Sequence, residues 1–368
     1  MSSINVAFDA GPLYGPRTGV GEATAGMRAA LSDHADVSLR GFLVSARSQP
    51  HPGDHKLPLP GIVASYLWAY SDLPRAGRWL RPADMVHGTN YVAPPSRLPT
   101  VVSVYDCWFL AHPSQASALV RRAGMRLRRR VAEGAWIHAS AEAVAAEARQ
   151  LLGTDRVVTV PLGPPPEVPA LGELGLPPLA ERLGGRPFVL AVGTHERRKN
   201  LPLLITAFGL IADDHPDTLL VLAGGPGDDS AAVATAIDAL APAARARVIV
   251  PGFVNTATKH WLLRRAAVLA YPSLYEGFGF PVLEANSAGT PVVASRVGSL
   301  PEVAGEAARL VDERTPEAFA AALTTVLSDT AARDALITAG ARNLRRFDWQ
   351  RAADGLVDLY RRAIAEHT

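Results

Sequence analysis

Short, unbroken apolar runs alternate along this chain with longer segments of helical spacing. That constrains the fold strongly, because a strand with no polar face must be covered on both sides. The runs fall at 4–8, 37–43, 101–105, 137–139 and 157–160 in the first half, and at 188–192, 219–223, 248–250, 268–271 and 292–294 in the second. Helix-length segments lie between them, so the pattern predicts βαβ units and parallel, doubly wound sheets of the α/β class. At 368 residues the chain is longer than one core commonly serves, which predicts two domains. Residues 163–187 concentrate glycine and proline, including Pro164, Pro165 and Pro166, and mark the join. The expected division is a Rossmann-like domain over 1–165, a linker over 166–186 and a second Rossmann-like domain over 187–348. A terminal helix over 349–368, apolar at Trp349, Ala353, Leu356, Leu359 and Tyr360, is expected to pack back on the first domain.

Composition removes several classes of function. Lys and Arg total 37 against 35 acids, a formal charge of +2, so a nucleic-acid partner is not expected. The single cysteine, Cys107, excludes an internal disulfide and a thiolate-rich zinc site, and a cytoplasmic location is the default expectation. No apolar run approaches the roughly 18 residues that span a bilayer, and the first residues do not read as a signal peptide.

In doubly wound sheets, ligands gather at the carboxyl ends of strands, so a cleft between two such domains is where chemistry is expected. The most informative segment runs from Tyr271 to Ser295, YPSLYEGFGFPVLEANSAGTPVVAS. A strand ends, a glycine loop follows and a helix opens near Pro281. Amides from Gly277, Phe278, Gly279 and Phe280 are expected to face a diphosphate, since glycine permits close approach and a helix N-terminus attracts anions. Glu276 and Glu284 would repel phosphate, so they are expected to accept hydrogen bonds from hydroxyl groups. A nucleotide sugar supplies both a diphosphate and hydroxyls at each end. Two surface carboxylates, one merely favouring a helix start, would be the bland alternative.

The Glu-x7-Glu segment resembles the hallmark of the retaining GT-B glycosyltransferases of glycosyltransferase family 4. The resemblance implies that Glu276 contacts the donor sugar's hydroxyls and Glu284 the nucleotide ribose. It extends to Phe188-Val-Leu-Ala-Val-Gly193-Thr-His-Glu-Arg-Arg198-Lys199-Asn200, which looks like the family's strand, glycine and Arg-Lys element, and to Leu219–Ala223 with Gly224 and Gly225. Arg198 and Lys199 follow a strand, so their charges are expected to neutralise a departing diphosphate. There is no Asp-x-Asp pair, and neither a metal nor another cofactor is expected. Backbone contacts to the nucleotide base are expected near Gly252 to Asn255, with Gly252 and Phe253 as donor-binding residues.

On the acceptor side, Arg17-Thr18-Gly19-Val20-Gly21 resembles the family's Gly-x-Gly loop, with Gly19 and Gly21 approaching the donor phosphates. Family members commonly carry His-Asp where this chain has Tyr105-Asp106, so a histidine role does not transfer there. Tyr105, Asp106 and His87 are expected contacts to acceptor or sugar, a structural histidine being the alternative for His87. Six arginines over Arg121–Arg130 read either as contact with an anionic membrane or phosphorylated acceptor, or as a solvated helix face. The resulting expectation is a retaining, metal-independent hexosyltransferase acting on a saccharide or glycolipid hydroxyl, with GDP-mannose as donor by resemblance to bacterial mannosyltransferases. A UDP-glucose enzyme, a GT-B sugar-nucleotide epimerase and a non-catalytic sugar-nucleotide sensor stand as alternatives.

Overall fold

The computed structural model describes residues 3–15, 18–45 and 48–367. The chain divides into two compact units, Met1–Gly163 with Phe347–Thr368, and Pro164–Arg346. The first holds a seven-stranded parallel sheet: β1 (Ile4–Asp9), β2 (Val37–Leu43), β3 (His55–Lys56), β4 (Met85–Gly88), β5 (Thr100–Val104), β6 (Trp136–Ala139) and β7 (Val157–Thr159), in the order β3-β2-β1-β4-β5-β6-β7. The second holds a six-stranded parallel sheet: β8 (Phe188–Val192), β9 (Leu219–Ala223), β10 (Val248–Gly252), β11 (Val268–Tyr271), β12 (Val292–Ser295) and β13 (Arg309–Val311), in the order β10-β9-β8-β11-β12-β13. In both, the chain starts in the middle, winds outward and then reverses, as in the Rossmann fold. The reversal lies between β1 and β4 in one sheet and between β8 and β11 in the other. Each unit is thus a Rossmann-like domain.

Burial follows the continuous apolar runs. Val102 and Ile137 in the first sheet and Leu190, Val221 and Leu269 in the second are fully covered by side chains from crossover helices. Three strands escape the sequence pattern because two are too short to show a run and the third, Met85–Gly88, contains His87. That histidine is a correction to its expected role. Its side chain is fully buried within β4, and both ring nitrogens are engaged, Nδ1 with the Tyr360 hydroxyl at 2.6 Å and Nε2 with Ser103 Oγ at 2.8 Å. Ser103 Oγ in turn meets His138 Nδ1 at 2.8 Å, and His138 Nε2 meets the Val160 carbonyl at 2.9 Å.

A carbonyl can only accept, so this chain of bonds has a single proton order for neutral rings. His138 donates to Val160, Ser103 donates to His138, His87 donates to Ser103, and Tyr360 donates to His87. Burial holds both imidazoles below their ordinary range, His138 at about 4. The network ties the terminal helix Trp349–Ala365 to the first sheet, as does Trp349, which leaves no room for a Cβ at Gly26 or Gly163.

The stretch expected as a linker is also corrected. Val168, Leu179 and Leu183 are buried in the core of the second unit, and Arg264 donates to the Val168 and Pro169 carbonyls. Its prolines direct an irregular strap onto the domain, with apolar side chains spaced to reach the core. Among the described residues, no helix is long and apolar enough to cross a membrane.

Candidate active site

The candidate site lies where the second sheet reverses, at the carboxyl ends of β8 and β11. After β8 the chain makes one short turn, Arg197–Lys199, and Asn200 adopts φ 52° before the helix Leu201–Ile211 begins. After β11 a loop carries Glu276 to the helix Phe280–Ala288, whose cap, Gly279, has φ 93°. A backbone bond from Leu274 N to Arg198 O, 2.8 Å, joins the two loops. The opening order of strand, glycine loop and helix is the one read from the sequence.

Glu276 is 5% exposed, and its carboxylate gathers the cations. Lys199 Nζ lies 2.7 Å from Oε1, Arg198 Nη1 lies 2.9 Å from Oε2, and Ser273 Oγ donates to Oε1 at 2.7 Å. Lys199 also donates to the Tyr271 hydroxyl at 2.6 Å and sits 4.5 Å from that ring's centre. Burial alone would raise the Glu276 pKa, but Lys199 and Arg198 outweigh it and hold the carboxyl below its usual range. Burial draws the Lys199 ammonium below its usual range, with Glu276 opposing. Arg198 also reaches Glu196, Nη2 to Oε2 at 3.4 Å, so the two cations are shared between two carboxylates, one buried and one exposed.

The loop backbone is fixed from the far side. Ser299 donates to the Glu276 carbonyl through N at 3.0 Å and through Oγ at 3.1 Å. A Cβ on Gly298, whose φ is +50°, would lie 2.3 Å from that carbonyl oxygen. Eight residues on, Glu284 is 7% exposed and accepts from Lys259 Nζ at 2.7 Å. Lys259 belongs to the helix Thr256–Arg265, capped by Asn255, which directly follows the turn at Gly252 and Phe253. Gly252 has φ +77°, and the Phe253 side chain is 78% exposed. Phe278 and Phe280 are buried and meet edge to face at 5.1 Å.

Sequence reading did not identify Lys259, Ser273, Tyr271 or Ser299 as site residues. Ser273 lies three residues from Glu276, but Lys259 meets Glu284 only because their two helices pack together. Arg198 and Lys199 follow β8, and both pair with Glu276, Arg198 being shared with Glu196.

The first unit departs further from expectation. Gly19 and Gly21 form the first turn of the helix Gly19–Ser32, whose Thr18 cap accepts from Gly21 N at 3.4 Å, so they are not a loop preceding it; Arg17 lies outside the described residues. Tyr105 is buried and meets the Tyr91 ring edge to face at 5.9 Å. Asp106 accepts from the Tyr91 hydroxyl at 3.0 Å and from Trp108 N at 3.2 Å, at the start of the short helix Trp108–Ala111. Among the described residues no group of three or more His, Cys, Asp or Glu side chains is arranged to hold a metal ion.

Residues 180–343, which contain this site, match the family of glycosyl transferases group 1. The chain is similar to the O-antigen chain mannosyltransferase B of Escherichia coli, 31% identical over 210 residues, covering 56% of this chain and 55% of that protein. It is 35% identical over 184 residues to the D-inositol 3-phosphate glycosyltransferase of Corynebacterium glutamicum (strain R), covering 48% of this chain and 44% of that one. The chain spans about half the length of these relatives. Its fold is similar to the solved structure of WaaG, a glycosyltransferase involved in lipopolysaccharide biosynthesis, with a TM-score of 0.71 at 19% identity, covering 96% of this chain and 98% of that one.

Proposed function

We propose that this chain, whose residues 180–343 match the glycosyl transferases group 1 family and whose fold is similar to that of WaaG, transfers a hexose from a nucleoside diphosphate sugar to a hydroxyl acceptor, with retention at the anomeric carbon. The observation that carries the proposal is the buried Glu276 carboxylate held by Lys199 and Arg198 at the reversal of the second sheet. A leaving diphosphate develops charge as the anomeric C–O bond breaks. Preorganised cations and amides stabilise that charge without reorganising at the moment of reaction. Arg198 and Lys199 supply the cations, and the Gly277–Phe280 amides at the helix N-terminus supply the donors. Glu276 accepts from hydroxyls of the transferred sugar, and Glu284, steadied by Lys259, accepts from the ribose.

In this reading the leaving group is neutralised by the two side chains, without a metal or other cofactor. We favour mannose from GDP-mannose as the donor, because the E. coli relative is a mannosyltransferase and the Gly193 to Asn200 element resembles that group. UDP-glucose is the second donor to test. The first unit is assigned the saccharide or glycolipid acceptor.

The test is product analysis. Each donor is incubated with and without methyl mannoside, methyl glucoside and a glycolipid extract, and nucleotides and sugars are separated. A transferase releases nucleoside diphosphate in step with a new glycoside, and anomeric coupling constants report retention. An altered nucleotide sugar formed without acceptor would indicate an epimerase instead. Donor binding without any turnover would indicate a sensor.

A further inference from the structure

The first unit presents an apolar surface that its own fold leaves uncovered. The helix Gly61–Tyr70 contains no charged residue. Ala64, Trp68 and Ala69 pack inward, but Ile62, Val63, Tyr66, Leu67 and Tyr70 face solvent. Their spacing forms one helical stripe, which Leu73 continues. Ile62 is 76% exposed and Leu73 66%. An outer helix of a soluble domain ordinarily turns its polar side outward, so this one is inverted.

The neighbouring helix, Ala118–Ala132, extends the patch with exposed Leu119, Val120 and Met125. From Cys107 to Ala132 the sequence holds six arginines and no acid. Three of them are tied to the first helix and its end: Arg126 lies 5.5 Å from the Trp68 ring centre, and Arg129 and Arg130 pair with Asp72, two residues past Tyr70. The others, Arg121, Arg122 and Arg128, line a groove of about 370 Å³ together with Tyr70 and Met125. Arg121 and Arg128 donate to the carbonyls of Ala116 and Leu151, and neither forms an ion pair among the described residues. The arginine cluster is therefore neither one solvated face nor one basic face, but half anchor and half rim.

We propose that this face docks on an anionic lipid bilayer, with Ile62, Val63, Tyr66 and Leu73 entering the headgroup region and Arg121, Arg122 and Arg128 meeting lipid phosphates. Apolar and aromatic side chains edged by arginine match that boundary, where apolar area and charge act together. A second copy fits less well, since a two-fold contact through this patch would bring identical arginine groups into one shared, acid-poor interface. The proposal is independent of glycosyl transfer.

Cosedimentation with phosphatidylcholine vesicles, with and without about 30% phosphatidylglycerol, tests it at low and high salt. Wild type is expected to bind the anionic vesicles and to lose binding as salt rises. Arg121→Glu with Arg128→Glu should weaken binding by about tenfold or more, since each contact near a charged surface is worth roughly a factor of five. Ile62→Ser with Tyr66→Ser should weaken it at either salt. Leu73→Ser serves as a second apolar variant if that pair fails to match the wild-type thermal melt. No wild-type binding to anionic vesicles would overturn the proposal, as would binding unaltered in all folded variants. Self-association broken by Tyr66→Ser, without vesicle binding, would overturn it in favour of a second copy.

Discussion

Glu276 and Glu284 are both buried carboxylates with lysine partners, yet their surroundings differ. Glu276 holds two cations, which in the proposed reaction would set the charge beside the leaving group, whereas Glu284 holds one lysine on a neighbouring helix. Glu276→Gln should therefore lower kcat much more than nucleotide affinity, and Glu284→Gln should raise the nucleotide Kd with a smaller change in kcat. Steady-state kinetics with nucleotide titrations separate the two, and equal losses of both parameters in both variants would contradict the assignment. Arg198→Ala is expected to reduce the rate by about 10² or more, as for other preorganised charge stabilisers, and an unchanged rate would remove Arg198 from the mechanism. Lys199→Ala strands part of a buried carboxylate, so urea unfolding should show a loss of about 3 kcal/mol.

Between neighbouring elements, the site depends on loops held by one another rather than by their own sequence. Gly298 is confined by the Glu276 carbonyl and by a positive φ, both of which disfavour a side chain. Gly298→Ala should push the Glu276 loop away, reducing turnover while leaving the rest of the second sheet folded. Circular dichroism with kinetics checks this, and wild-type turnover would show that the loop position is unimportant. The apolar runs were readable as strands because they are buried on both faces, and Glu-x7-Glu was readable because its parts are adjacent in sequence. The Lys259–Glu284 pair was not, because 25 residues separate partners that only helix packing unites. Nor did spacing reveal that His87 lies inside a strand and is occupied at both nitrogens, or that Gly19 already belongs to a helix.

For the whole molecule, the returning C-terminal helix makes the first unit depend on residues from both ends of the chain. Tyr360 caps a buried line of hydrogen bonds through His87, Ser103 and His138, so Tyr360→Phe should cost about 1–3 kcal/mol. The line also has a pH signature. His138 is held near pKa 4 against an ordinary 6.5, so below pH 6.5 the unfolded chain binds the proton first, and stability falls as pH drops toward 4. That group accounts for about 3 kcal/mol. Asp9, which burial raises to about 6, acts in the opposite sense across the same window. Urea midpoints of wild type and His138→Asn from pH 7 to 4.5 isolate the histidine, and the variant should lose this part of the acid slope. Identical slopes would contradict a His138 imidazole held neutral by burial.

The central claim is that the second unit holds a nucleoside diphosphate sugar between the Glu276 loop and Glu284. Thermal unfolding with GDP, UDP, ADP and dTDP, each with wild type and Glu284→Gln, tests it most directly. The account predicts that at least one nucleotide stabilises the wild type, by about 2.7 kcal/mol at 100 times its Kd, and stabilises Glu284→Gln less at the same concentration. A wild-type chain whose unfolding is unmoved by all four nucleotides would contradict it.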